Sequence, residues 1–329
     1  MVGELAVWYL FLAGVGAGAV LVAAVLEQLT PFDVRCVATA MYRYVPGAAA
    51  FDWRTAAASW RLPAIPQPQF QRFFGPASGA GMVAVLVGMV CLLADLGRPD
   101  RLLQLLFAPT LSFIAVGVYL LLALLVFCLV LVAVWAFGAT RLPRWLVATA
   151  RIGAALSAIA VMTYTGLLLC TMPAVPFWNT LWVPLLFVAS DISAGIGLVV
   201  AAVVLTGGDL PFRTTLLRIK RWDVFALVAE AGCLVLLLAA ALVGSPTARA
   251  SAMLLLTGQL APAFWIMAVV LGLAVPFAVT RWGGRPGQRS MLAVSAALLI
   301  SCFFLRWCVV GAGLAPDMAA AVMAALGSA

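Results

Sequence analysis

The sequence predicts an all-α integral membrane protein with about eight transmembrane helices. Its 329 residues are 66% hydrophobic and only 9% charged, whereas a soluble domain averages about 25% charged residues. Apolar runs of about 20 residues recur along the sequence, and each can cross a hydrocarbon core about 30 Å thick. Because backbone polar groups in lipid must bond within their own segment, we expect helices. The short alternating strands typical of a membrane barrel are not found in the sequence.

The apolar runs divide the sequence into spans of a single polytopic membrane domain. The expected spans lie near 5–29, 79–96, 113–138, 148–170, 183–205, 223–243, 259–280 and 290–313. We interpret the first run as a span rather than a signal peptide, because it lacks a basic start and a clear cleavage site. Within it, Gly14 and Gly18 have the spacing that favours close helix packing.

The loop over 30–78 is the longest connection that the sequence predicts. Its segment Ala48–Arg61 could form a short helix at the inner membrane surface, with Trp53 and Trp60 at the level of the headgroups. The alternative is an irregular loop, and the composition of the segment leaves both open.

Basic residues predict the orientation of the protein in the membrane. The loops after spans one, three, five and seven hold most of them: Arg35, Arg43, Arg54, Arg61, Arg72, Arg141, Arg144, Arg151, Arg213, Arg218, Lys220, Arg221, Arg281, Arg285 and Arg289. The opposite loops hold only Arg98, Arg101 and Arg249. Because positive loops stay in the cytoplasm, both termini should lie outside, in agreement with an even number of spans.

Composition also excludes several classes of function. The formal charge of +8 comes from separate short loops rather than one basic patch, which argues against nucleic-acid binding. The sequence has no histidine, so we expect no haem and no conventional zinc or copper site. Six of the seven cysteines lie in apolar spans and none forms a CxxC pair, which favours a role as small core residues.

Four segments, which lie one after another along the sequence, resemble segments of a known protein family. They are Trp8–Gly18 (WYLFLAGVGAG), Asp95–Pro99 (DLGRP), Tyr164–Leu169 (YTGLLL) with Val175–Asn179 (VPFWN), and Leu305-Arg306 with Gly311 and Gly313. In these segments the protein resembles the membrane subunit of polysulfide reductase and the related NrfD family.

The resemblance implies a haem-free, quinone-reactive anchor built as an NrfD-like helical bundle. Such an anchor would bind menaquinone or ubiquinone in a bacterial or archaeal cytoplasmic membrane. Its expected partners are a four-cluster iron–sulfur subunit and, often, a molybdopterin catalytic subunit on the extracytoplasmic side. The protein would then be the non-catalytic, electron-transport subunit of an oxidoreductase in anaerobic respiration.

A polar layer is expected beneath the outer surface, where a quinone could meet the partner. By helical rise, Tyr164, Asp191 and Arg306 lie about 9 to 12 Å below the outer ends of their spans. Trp8 and Tyr9 are slightly shallower, and Asp95 ends span two on the same side.

Each of these residues has a structural alternative to a role in quinone chemistry. Asp191 and Arg306 could form a buried ion pair that only orders the bundle, since charges in lipid tend to pair. Tyr164 could donate to a quinone carbonyl or bond another helix. Trp8 and Tyr9 could belong to an aromatic belt, and Asp95 could simply hold Arg98.

Carboxyl groups on the inner half could carry protons toward this layer. Glu27 ends span one, and Glu230 lies about 10 Å into span six. We expect Glu27, Glu230 and Asp191 to form a series of proton-exchanging groups from the cytoplasm to the quinone site.

Two other functions remain open at this point. A passive anchor would share every feature except a competent outer site. A small-solute transporter or channel would suit the buried charges, but paired interrupted spans, its usual mark, are not evident in the sequence.

Overall fold

The structure is a computed structural model that describes residues 4–44, 68–95, 113–139, 142–208, 213–282 and 287–327. These residues are almost entirely helical. The helices in order are α1 (Glu4–Tyr44), α2 (Pro68–Asp95), α3 (Phe113–Trp135), α4 (Arg144–Cys170), α5 (Trp182–Leu205), α6 (Arg213–Val243), α7 (Pro246–Leu256), a π-helical segment (Ala263–Ala274), α8 (Val275–Trp282) and α9 (Gln288–Gly327). This architecture confirms the predicted all-α class.

Eight of the described helical stretches are long and apolar enough to cross a membrane. They are Leu5–Gln28, Phe70–Asp95, Ala115–Trp135, Trp145–Cys170, Trp182–Leu205, Arg218–Val243, Ala263–Trp282 and Gln288–Leu314. The second and sixth begin nine and five residues before their expected limits, because Arg72 in one and Arg218 and Lys220 in the other already belong to the helix. We call the end of the bundle that holds the start of α1 the outer end, following the charge-based orientation, and the opposite end the inner end.

The connection after span one is shorter than the predicted loop over 30–78. Helix α1 continues to Tyr44, and α2 begins at Pro68. The fall in hydropathy after Gln28 ends the apolar span but not the helix, since polar residues can continue a helix beyond the membrane. The segment Ala48–Arg61, with Trp53 and Trp60, lies outside the described residues.

Helices α1 and α5 form the centre of the bundle and are its most buried spans. Helix α1 contacts α2, α4, α5 and α9, and α5 contacts α1, α2, α4, α6 and α9. The two cross where Gly18 meets Gly195, and a methyl group at Gly18 would overlap the carbonyl oxygen of Asp191. The close packing predicted from Gly14 and Gly18 is therefore confirmed, and it brings the α1 backbone against Asp191.

The seventh span is not a regular α-helix over its whole length. Residues Ala263–Ala274 form a π-helix that continues directly into α8. Its end is marked by the Val275 N–H, which donates to the Val270 carbonyl, five residues back. Pro276 follows at once and has no N–H to donate, so the regular four-residue ladder cannot run through this point. Periodicity alone does not reveal such a change.

Candidate functional site beneath the outer face

Asp191 and Arg306 meet in the centre of the bundle. Both are fully buried, and an Arg306 Nη donates to Asp191 Oδ1. The other Nη of Arg306 bonds the Cys302 carbonyl at 3.2 Å, and its guanidinium carbon lies 4.8 Å from the Phe187 ring centroid. The ion pair expected from the similar depth and opposite charge of the two residues is therefore present. It joins α5, which holds Asp191, to α9, which holds Arg306.

The ion pair does not use all the bonding capacity of its members. Asp191 Oδ2 and Arg306 Nε are buried without a hydrogen-bond partner among the described residues. The Asp191 carboxyl group lies against Gly14 of α1, where a methyl group would overlap it. An unpaired carboxylate oxygen in an apolar interior is a place where a proton, a water molecule or a polar ligand atom would be stabilised.

A second cluster lies further out and joins Tyr9 to Tyr164. Their hydroxyl groups lie close enough to interact with one another, and both side chains are buried. The Tyr164 ring lies against Gly117 of α3, where a methyl group would overlap it. Tyr9 precedes Gly14 by about 7 Å of helical rise. Tyr164 is therefore in a separate cluster from Asp191 and Arg306, although α1 connects the two.

Trp8 and Asp95 lie outside both clusters. Trp8 is 45% exposed on the lipid-facing side of α1 and contacts Phe303, with ring centroids 4.5 Å apart. Asp95 is exposed at the last residue of α2, and its expected partner Arg98 is outside the described residues. The tyrosine pair and Trp8 thus face different sides of α1.

The turn between α4 and α5 covers the outer end of the bundle. Phe177 and Trp178 are fully buried there, and Trp178 Nε1 donates to the Val309 carbonyl at 2.9 Å. The indole ring lies against Gly313 of α9. The VPFWN segment therefore packs against Gly313 of α9. This contact covers the outer end of the bundle, on the outer side of Arg306.

A third polar group follows the seam between α5 and α6 toward the inner end. Glu230 is 7% exposed and lies close to Ser190 and within electrostatic range of Arg306 and Asp191. Further in, Ser193 donates to Asp223 Oδ1 at 2.8 Å, and Lys220 lies close to Asp223. Buried ionisable and hydroxyl groups thus form a polar column from Lys220 of α6 to the central ion pair.

Glu27 does not belong to this column, contrary to the expected series of carboxyl groups. It forms an ion pair with Arg151 of α4, with an N–O distance of 2.5 Å, and both side chains are buried. The reason is helical geometry, since Glu27 is about 2.5 turns beyond Gly18 and therefore lies on the opposite face of α1. Helix α1 directs Gly18 toward α5 and Glu27 toward α4.

Sequence reasoning missed Asp223, Ser193 and Ser190. The spacing of Asp223 and Glu230 is about two helical turns, which places both on one face of α6. Ser190 and Ser193 flank Asp191 on the buried side of α5. These spacings are a signal that could have identified the column. The hydrogen bond between Ser193 and Asp223 joins two helices, and sequence spacing does not show it.

Comparisons with known proteins agree with this architecture. A family model described as "Polysulphide reductase, NrfD" matches residues 34–316. Protein NrfD of Escherichia coli strain K12 is 27% identical over 275 residues, which cover 74% of this protein and 86% of that one. One polysulfide reductase subunit of Wolinella succinogenes is 37% identical over 120 residues, or 36% of this protein and 38% of that one. The matched range of the family model includes Tyr164, Asp191 and Arg306.

Proposed function

Because the protein belongs to the polysulphide reductase NrfD family, we propose that it is the membrane anchor of a respiratory oxidoreductase and binds quinone beneath its outer face. Its proposed partner is a four-cluster iron–sulfur subunit on the extracytoplasmic side, joined to a molybdopterin subunit that performs the terminal reaction. The membrane is the cytoplasmic membrane of a bacterium or archaeon, and the quinone is menaquinone or ubiquinone. Quinol oxidation is the proposed direction of electron flow.

The buried hydroxyl pair of Tyr9 and Tyr164 is the observation that carries this proposal. A quinone head needs hydrogen-bond partners for its carbonyl oxygens within apolar walls. The pair supplies two hydroxyl groups, and the half-exposed Trp8 and the nearby Phe303 line a lipid-facing surface of the same part of α1. The protein would supply position and hydrogen bonds, while the quinone carries the redox step.

Oxidation of one quinol releases two electrons and two protons. In the proposed anchor the electrons pass to the iron–sulfur cluster of the partner at the outer face. The protons leave the quinol hydroxyl groups and pass to groups beneath the ring, and the unpaired Asp191 Oδ2 is the acceptor that we propose. Glu230, Ser190, Ser193 and Asp223 provide a polar connection from there toward the inner end.

Exchange of Tyr164 for Phe tests the quinone site. Loss of one hydrogen bond should lower quinol oxidation by the assembled complex about five-fold to ten-fold, with little change in thermal stability. Tyr119→Phe is the matched control, because Tyr119 lies on the outward-facing side of α3 and is 38% exposed. Equal rates for wild type and Tyr164→Phe would exclude the tyrosine from the mechanism.

Binding of a quinone analogue to the isolated subunit separates this proposal from a passive anchor. The proposed site predicts saturable binding that Tyr164→Phe weakens, whereas a passive anchor predicts none. Solute flux into liposomes that hold only this subunit would instead favour the transporter, a function that no contact among the described residues specifically supports.

Exchange of Glu230 for Gln tests the polar column. Proton release to the inner side, divided by the electrons transferred, should fall because the buried carboxyl group can no longer exchange a proton. Glu27→Gln should leave this ratio unchanged, since Glu27 faces Arg151 rather than the column. A fall with Glu27→Gln but not with Glu230→Gln would show that the protons follow α4 instead.

A further inference from the structure

A cleft of about 590 Å³ opens between α1, α5 and α6 in the inner half of the bundle. Its volume lies within the range of about 300–1,000 Å³ that is typical of ligand sites. Its walls are Leu21, Val22, Val25, Leu26, Ile192, Ile196, Thr215, Arg218, Ile219, Trp222, Phe225 and Ala226. None of these residues belongs to the proposed quinone site or to the polar column.

The cleft has one polar end and an apolar body. The hydroxyl and guanidinium groups among its walls belong to Thr215 and Arg218, which lie about one turn apart on α6 at the inner end. The apolar walls continue to Ala226, about 16 Å further along α6 by helical rise. That length is about half of a hydrocarbon core about 30 Å thick, or one leaflet of the bilayer.

Charge at the inner end of the cleft matches an anionic headgroup. Arg218 lines the cleft and lies in the first turns of α6, which begins at Arg213. Trp222, which is 48% exposed, follows at the depth where tryptophan side chains meet the headgroup region. Basic pockets between helices at the cytoplasmic face are typical sites for anionic lipid headgroups.

We propose that this cleft binds an anionic phospholipid of the inner leaflet, with the phosphate at Arg218 and Thr215 and one acyl tail between α1, α5 and α6. A quinone fits less well, because its ring has carbonyl groups on opposite edges and the cleft offers polar atoms at one end only. The bound tail would fill the gap between α1 and α6. Since Ile192 and Trp222 adjoin Ser193 and Asp223 in sequence, the lipid would also cover the inner part of the α5–α6 seam.

Native mass spectrometry of the purified protein tests this proposal with added phosphatidylglycerol and phosphatidylethanolamine. Wild type should retain phosphatidylglycerol in preference to phosphatidylethanolamine. Arg218→Gln should weaken that retention about five-fold, the effect expected of one basic residue at an anionic surface. Ala226→Phe, which fills the apolar end of the cleft, should weaken retention of either lipid. Arg218→Lys keeps the charge and should restore most of the preference.

Arg221→Gln is the matched control, because Arg221 lies on the same helix, is exposed and does not line the cleft. The proposal is supported if Arg221→Gln retains the lipid as wild type does while Arg218→Gln and Ala226→Phe do not. Equal retention of both lipids by all variants would mean a non-specific lipid coat and would overturn it. Displacement of the phospholipid by an added quinone at equal concentration would also overturn it, in favour of a second quinone site.

Discussion

The Asp191 carboxylate has no exposed surface, forms an ion pair with the Arg306 guanidinium group and lies against the α1 backbone at Gly14. An isolated charge in the bilayer costs at least about 2.5–3.5 kcal/mol, so each member of this pair stabilises the other. The same arrangement leaves Asp191 Oδ2 without a partner among the described residues. An ion pair that only ordered the helices would be more stable if a neighbouring group donated a hydrogen bond to this oxygen. The unpaired oxygen therefore favours a role of Asp191 in proton exchange.

Single and double exchanges at this pair distinguish ordering of the bundle from a role in catalysis. Arg306→Leu leaves the buried Asp191 charge unpaired and should destabilise the protein by about 3–5 kcal/mol. The double variant Asp191→Leu/Arg306→Leu should recover most of that stability, as measured by thermal melting in detergent. Quinol oxidation by the complex should stay low in the double variant. Full activity there would mean that the pair only orders the bundle.

Glycines on α1 and α3 fix the positions of functional side chains. Each one lets a neighbouring backbone, carboxyl group or ring approach the helix closely. Gly14 and Gly18 bring α1 against Asp191, and Gly117 of α3 receives the Tyr164 ring. A methyl group would meet the Asp191 carboxyl group at Gly14, the Asp191 backbone carbonyl at Gly18 and the Tyr164 ring at Gly117. The helix interfaces thus include residues of the site. A methyl group added at one of these interfaces should therefore displace a side chain of the site.

Exchange of Gly117 for Ala tests this connection between helix packing and the tyrosine pair. The added methyl group would overlap Tyr164 and should cost about 1–3 kcal/mol of stability, as overpacking typically does. Quinol oxidation should fall at least as far as in Tyr164→Phe, because the ring is displaced from Tyr9. Gly79→Ala on α2 is the control, since no described atom lies within 4 Å of its added methyl group. Equal losses in both variants would point to a general effect of the substitution.

For the whole molecule, an even number of apolar spans among the described residues places the start of α1 and the end of span eight on the same side. Basic residues crowd the loops at the opposite, inner end. That asymmetry predicts the side on which the tyrosine pair can meet an extracytoplasmic partner. It also predicts the leaflet that the lipid cleft faces, so both proposals depend on the same orientation.

Reporter fusions test the orientation of the whole protein. Alkaline phosphatase fused to the C-terminus should be active, because that end is predicted to lie outside. A fusion in the turn after Gly207, between α5 and α6, should be inactive as phosphatase and fluorescent as a green fluorescent protein fusion. The reverse pattern would move the tyrosine pair to the cytoplasmic side and remove the proposed docking face.

The sequence by itself determined the all-α membrane class, the number of spans, the pairing partner of Asp191 and the close approach at Gly14 and Gly18. These follow from hydropathy, from the cost of charge in lipid and from helical rise, which act along one segment or at one depth. Only the tertiary structure decided which face of α1 meets which neighbour. It separated Tyr164 from Asp191, moved Glu27 to Arg151, and joined Ser193 to Asp223. The physical reason is that helical rise gives depth, whereas rotation about each helix axis is set by packing against its neighbours.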